Sequence, residues 1–156
     1  MTQKPSQIVK GLSLIHIILV FASVAIMGTV YLLKNNASEV VSSEKGMNVF
    51  ELLVPIMAAI SILAAHYIGK SRMSKLSKAD KLIDKLSVYR ANKIILWAAL
   101  EGSIYFAAVS FYIFGRQNLF LYGLMMVILL VYFRPLRSRV IEDLALNEQE
   151  VEQLNA

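Results

Sequence analysis

The sequence predicts an all-α integral membrane protein: four transmembrane helices in two antiparallel hairpins, N-in/C-in, with a cytoplasmic amphipathic segment between helices 2 and 3. Three observations carry that expectation. Of the 156 residues, 57% are hydrophobic and 17% charged, whereas soluble domains sit at roughly 45–50% and about 25%. Apolar runs of membrane-spanning length recur along the chain. Lys and Arg gather on alternate connections between those runs. The expected units are a cytoplasmic N-terminus over 1–10, a first transmembrane hairpin over 11–69, a basic amphipathic loop over 70–93, a second hairpin over 94–133 and a cytoplasmic tail over 134–156.

The first span runs from Gly11 to Leu33, with His16 its only ionisable side chain and Lys10 and Lys34 at its ends. At about 1.5 Å per residue it reaches roughly 34 Å, enough for a hydrocarbon core of roughly 30 Å. It is longer than the apolar core of a signal peptide, about 7 to 15 residues, and lacks an Ala-x-Ala-like end. The second span, Val49 to Gly69, holds Glu51 and Pro55 near its start and His66 near its end. Proline is tolerated there because the first turns of a helix have few N–H partners to lose. The third runs from Ile94 to Phe114 and carries Glu101. Gly115, Arg116, Gln117 and Asn118 form a turn so short that the fourth span, Leu119 to Phe133, must pack antiparallel to the third. Arg134 and Pro135 end it, and its shortness requires an upright helix or a locally thinned bilayer.

Orientation follows from the basic residues. Lys4, Lys10, Lys70, Arg72, Lys75, Lys78, Lys81, Lys85, Arg90, Lys93, Arg134, Arg137 and Arg139 fall on one side, leaving only Lys34, Lys45 and Arg116 for the other. The positive-inside rule places the richer side in the cytoplasm, and with it both termini. The expected location is a bacterial inner membrane. The net charge of +5 thereby reads as topology, and no nucleic-acid partner is expected, since Tyr89 is the only aromatic among the basic residues of the loop.

Within 70–93, Leu76, Ala79, Ile83, Leu86 and Tyr89 recur at helical spacing, with Lys75, Lys78, Lys81 and Lys85 off that stripe. Ser77 followed by Asp80 offers an N-terminal cap. Lys75, Lys78, Lys81, Lys85 and Arg90 are the expected contacts to lipid or a partner. Beyond Arg139 the tail turns acidic with Glu142, Asp143, Glu148, Glu150 and Glu152, and it is expected to fold back on the basic loop. Asn147 with Glu150 predicts a short helix ending at Leu154, with Leu146, Val151 and Leu154 as its apolar side. The glycosylation sequon Asn36-Ala37-Ser38 abuts the membrane and is read as coincidental.

Ionisable groups at membrane depth are costly and are functional candidates by default. At about 1.5 Å per residue, His16, His66 and Glu101 lie roughly 9, 6 and 12 Å from their nearest cytoplasmic Lys. Trp97, Glu101, Tyr105, Ala108 and Tyr112 share one face of the third span, which should point into the bundle. Pro55, Ala58, Ala59, Ile62, Ala65, His66 and Gly69 form a stripe on the second, while His16, Val20, Ser23 and Met27 form one on the first. These faces allow His16, His66 and Glu101 to meet, giving a candidate proton or cation site of Glu101, His66, His16 and Tyr105. The competing reading has Glu101 protonated and bonded to Tyr105, Ser103 or a His, fixing the packing. No metal site and no cofactor are expected.

The stretch Ala98-Ala99-Leu100-Glu101-Gly102-Ser103-Ile104-Tyr105 resembles the carboxylate helix of rotary ATP synthase proteolipids over eight residues. The first span lacks the Gly-x-Gly repeat of those subunits, so that family is not adopted. Small multidrug transporters also have four helices and a membrane Glu, but in the first helix, where this chain has His16. No Cys is present, which excludes disulfides, thiol catalysis and Cys-ligated metal. The metalloprotease, nucleophile-elbow and phosphate-loop signatures are missing too, so no enzyme is expected. The function anticipated is a non-catalytic accessory or structural subunit of a membrane complex, as a homo-oligomer or with other membrane subunits. The alternative is a proton- or cation-coupled transporter or channel working as an oligomer.

Overall fold

The computed structural model describes residues 4–36, 49–77 and 79–155, and within these every regular element is a helix. In chain order they are α1 (Pro5–Asn36), α2 (Val49–Met73), α3 (Leu82–Phe114), α4 (Gln117–Tyr132), α5 (Arg137–Asp143) and α6 (Glu148–Asn155). Lys45, Lys78 and the Ala37-Ser38 part of the sequon lie outside the described residues. Helices α1, α2 and α3 are each long and apolar enough to cross a membrane. Helix α4, with 16 residues, joins them only together with α5, from which it is bent by 79°.

Helix α3 is the hub. It packs along α1, α2 and α4, whereas α1 and α2 scarcely touch each other. The first pair of spans is therefore not a packed hairpin, because α3 supplies the small and aromatic side chains that both need. His16 of α1 meets Trp97, and Lys34 packs over Gly115, so α1 and α3 run parallel. Helix α2 runs the other way, with Gly69 beside Asn92 and Phe50 against Phe106 and Phe114. Helix α4 is also antiparallel to α3, and its Gly123 lies so near Met27 that a Cβ there would stand 2.6 Å from the Met27 Cε. The turn from α3 to α4 depends on Gly115, whose φ of 65° lies in the left-handed region and whose N–H closes α3 onto the Phe111 carbonyl at 2.8 Å.

Large apolar residues on the outer faces, such as Phe21 of α1 and Leu63 of α2, remain exposed, while the stripe Trp97, Leu100, Ile104 and Ala108 of α3 is buried. That inversion of the soluble pattern suits a bundle whose periphery faces lipid. Tyr112, expected on the inward face of α3, is exposed instead: the stripe has rotated off the contact with α1 by the last turns of the helix.

Residues 70–93 differ most from expectation. Helix α2 continues through Met73, and α3 starts at Leu82 and passes into the apolar span without a break. At 33 residues, α3 is about 50 Å long, well beyond a bilayer core. Ser77 and Asp80 do not begin a helix. The Ser77 N–H donates to Asp80 Oδ2 at 2.7 Å and the Ala79 N–H to Ser77 Oγ at 3.2 Å, closing a turn just before it. Leu82, Leu86 and Tyr89 are buried, whereas Ile83 and Ala79 are exposed. The three buried residues join Ile8 and Leu12 of α1, Val140 of α5, Leu144 just after it and Leu154 of α6 in one core continuous with the bundle. The basic end thus carries a packed helical cap.

Candidate functional site

Two buried side chains with ring N–H groups, His16 and Trp97, meet at the C-terminal end of α4. A helix end leaves four carbonyls without intrahelical partners, and those buried in the protein have no water to supply the missing donors. The Phe133 N–H takes the Leu129 carbonyl at 3.0 Å and the Arg134 N–H takes that of Val131 at 3.2 Å. Pro135 has no N–H to give. Side chains from three other elements take most of what remains: His16 Nε2–H donates to the Leu130 carbonyl at 2.8 Å and Trp97 Nε1–H to that of Phe133 at 3.2 Å. Arg139 of α5 donates to the Tyr132 carbonyl and lies 4.6 Å over the Tyr132 ring. The His16 and Trp97 rings pack together at 4.8 Å, both buried. These three donors let α4 stop after 16 residues, about 24 Å and so short of a full hydrocarbon core.

Glu101 lies one turn along α3 from Trp97. The Tyr105 hydroxyl donates to Glu101 Oε1 at 2.8 Å, and both residues are half-buried. Ser103 turns elsewhere, to the Ala99 carbonyl at 2.9 Å. Ser23 of α1, fully buried, lies opposite Tyr105. His66 stands apart, with an exposed side chain on α2. The four residues singled out in the sequence therefore divide: Glu101 with Tyr105, His16 with Trp97 and the end of α4, His66 with neither. Among the described residues no three His, Asp or Glu side chains lie close enough to hold a metal ion.

A second polar cluster lies in the cap. Lys85, which its spacing puts on the solvated face, is instead buried and meets Glu150 Oε1 of α6 at 2.6 Å. Here α6 docks against the start of α1 and α3, so the position that would be solvated on an isolated helix becomes an interface. Glu150 also closes the start of its own helix. Its Oε2 accepts the Asn147 N–H at 3.0 Å while its N–H donates to Asn147 Oδ1 at 2.9 Å, a reciprocal capping box. Burial acts to raise the Glu150 pKa, but the hydrogen bonds from Lys85 and the Asn147 backbone, with the Lys85 charge, outweigh it and hold the carboxyl below its ordinary range. Nearby, Lys93 pairs with Asp143 at 3.2 Å and lies 4.9 Å over the Tyr89 ring. The acidic tail therefore does fold back on the basic segment. Lys75 and Lys81 are exposed, Arg90 is half-buried, and Lys78 lies outside the described residues.

Sequence reasoning missed the donors Trp97 and Arg139 and the pairing of Lys85. One signal for the cap was available: Leu82, Leu86, Tyr89, Lys93, Trp97 and Leu100 continue at spacings of three and four with no Pro or Gly between them.

No family model matches the chain, and no curated protein or solved structure matches it. The fold itself defines the class, a helical protein with several membrane-compatible spans and a helical cap at one end.

Proposed function

We propose that this is a small multi-pass protein of the bacterial inner membrane, both termini cytoplasmic, acting as a non-catalytic accessory or structural subunit of a membrane assembly. The observation that carries this reading is how the intramembrane polar groups are used. His16 and Trp97 are spent on the carbonyls of α4, and Tyr105 on Glu101. The first two tie α1 and α3 to the end of α4, which is what a scaffold requires, and the third lies within α3. The broad exposed apolar faces of α1 and α2 are available to lipid, to a second copy or to another subunit. The basic cap lies on the side that the positive-inside rule assigns to the cytoplasm.

Affinity purification in mild detergent followed by mass spectrometry tests the reading. Recovery of defined membrane partners, or of a stoichiometric homo-oligomer, is the expected result. Recovery of monomer alone, under conditions that preserve a control complex, overturns it.

A second reading, a proton- or cation-coupled transporter or channel, draws on the Glu101–Tyr105 bond beside the buried Ser23 hydroxyl. The site is then Glu101 and Tyr105, with His16 occupied by the end of α4. In liposomes this reading requires a pH-dependent flux that Glu101→Gln abolishes while the fold is kept.

A further inference from the structure

Helix α4 ends early while α1 runs on beside it, and the mismatch leaves a groove of about 320 Å³ between them. Ile17, Val20, Phe21 and Val24 of α1 and Val131 of α4 form its walls, with His16 and Arg134 completing the lining. Because His16 pairs with Leu130 and Met27 packs on Gly123, Arg134 belongs at the His16 end, on the side of the cap. The Val24 end lies deeper in the apolar bundle.

Arg134 is exposed, and among the described residues its guanidinium meets no carboxylate or carbonyl. It differs in this from its neighbour Arg139, which is bound to Tyr132. A cation without a protein partner at the mouth of an apolar, lipid-facing groove complements one molecule with the same division of chemistry. We infer that this groove is a binding site for an anionic phospholipid, its phosphate on Arg134 and the first part of an acyl chain along Ile17, Phe21 and Val24. A guanidinium matches phosphate geometry by paired N–H donors, and basic pockets between spans are a recurrent way of holding anionic headgroups. The inference needs only that α1 and α4 lie in a bilayer, and it holds under either reading of function.

Trp97, the single Trp of the chain, packs behind His16, which lines the groove, and is close enough to report on a quencher bound there. The full chain is reconstituted in phosphatidylcholine vesicles containing a small fraction of brominated-chain phosphatidylglycerol or, in parallel, brominated-chain phosphatidylcholine, and Trp97 quenching is measured. The expected result is a preference of about fivefold for the anionic lipid, of the size one basic residue near the surface provides. Unbrominated phosphatidylglycerol should reverse the quenching, and free inorganic phosphate should not. Arg134→Gln should bring the preference close to one, while Arg137→Gln, which removes the same charge three residues away, should leave it nearly intact. Equal quenching by the two lipids overturns the site, as does reversal by inorganic phosphate or an equal loss in both variants. If Arg134→Gln does not fold, the wild-type comparison and its lipid competition still decide the matter.

Discussion

Lys85 and Glu150 meet as opposite charges 2.6 Å apart, whereas about 18 Å further along the same helix Trp97, with His16 of α1 beside it, serves as a donor to a backbone carbonyl of the α4 end. The first pair lies in the cap, where the unfolded alternative is water and each ion must recover its lost hydration from the other. The second lies in the bundle, where the backbone itself is the demanding group, since an orphan carbonyl in hydrocarbon has no solvent to turn to. One helix thus carries two solutions to buried polarity, and each follows from its surroundings. In the cap a charge holds a tail in place, and in the bundle side chains finish a helix that stops early.

Substitutions separate the two solutions. The largest effect is expected at Trp97, which is fully buried and both packs and donates. Trp97→Ala should cost about 3–5 kcal/mol, read by circular dichroism during unfolding in mild detergent, while Trp97→Phe, keeping most of the ring, should cost less than half as much. In the cap, Lys85→Met should cost about 3 kcal/mol because it strands the Glu150 charge, and Lys85→Met with Glu150→Leu should recover most of that loss. Failure of the double variant to recover would show that the pair is not the element holding α6. His16→Phe keeps the ring contact with Trp97 but leaves the Leu130 carbonyl unpaired, at an expected cost of about 1–3 kcal/mol.

A smaller, pH-dependent effect belongs to the cap alone. Folding holds the Glu150 pKa below its unfolded value, about 4.3 in the absence of neighbours. The stabilisation is fully present above that unfolded value and is lost as pH falls through the lower folded one. The protection of α6 amides, taken relative to their intrinsic exchange rate at each pH, should therefore be high at neutral pH and fall only in acid. Equal protection of α6 on both sides of the transition would place its stability elsewhere, in the burial of Leu154. The smallest effect is expected for Glu101→Gln, since the amide oxygen still accepts from Tyr105. Its cost to stability should stay below about 1 kcal/mol, which lets any change in flux be read without a folding defect.

Several elements were legible before any coordinates. The Asn147–Glu150 cap of α6 is a local pattern whose two bonds involve residues three apart, so nothing distant can alter it. The turn at Gly115 is similarly local. The burial of His16, Ser23 and Met27 on one face of α1 follows from their spacing. What spacing does not contain is the partner. Lys85 has the pattern of a solvated residue until α6 covers it, and His66 shares a stripe with the buried Ala58 and Ala65 yet faces outward, because α3 and not α1 is the neighbour of α2.

The sequence by itself determined the helical class and the apolar runs long enough to cross a membrane, because hydropathy and a 3.6-residue period are properties of one segment at a time. The side on which the basic residues gather belongs to the same category. Only the tertiary structure decided that α3 stands between α1 and α2, that the second part of the basic loop, from Leu82, belongs to α3 itself, and that His16 and Glu101 answer to different partners. Those outcomes depend on the relative register of helices far apart in the chain, and a shift of one residue, about 1.5 Å and 100° of rotation, changes every side chain that meets across an interface.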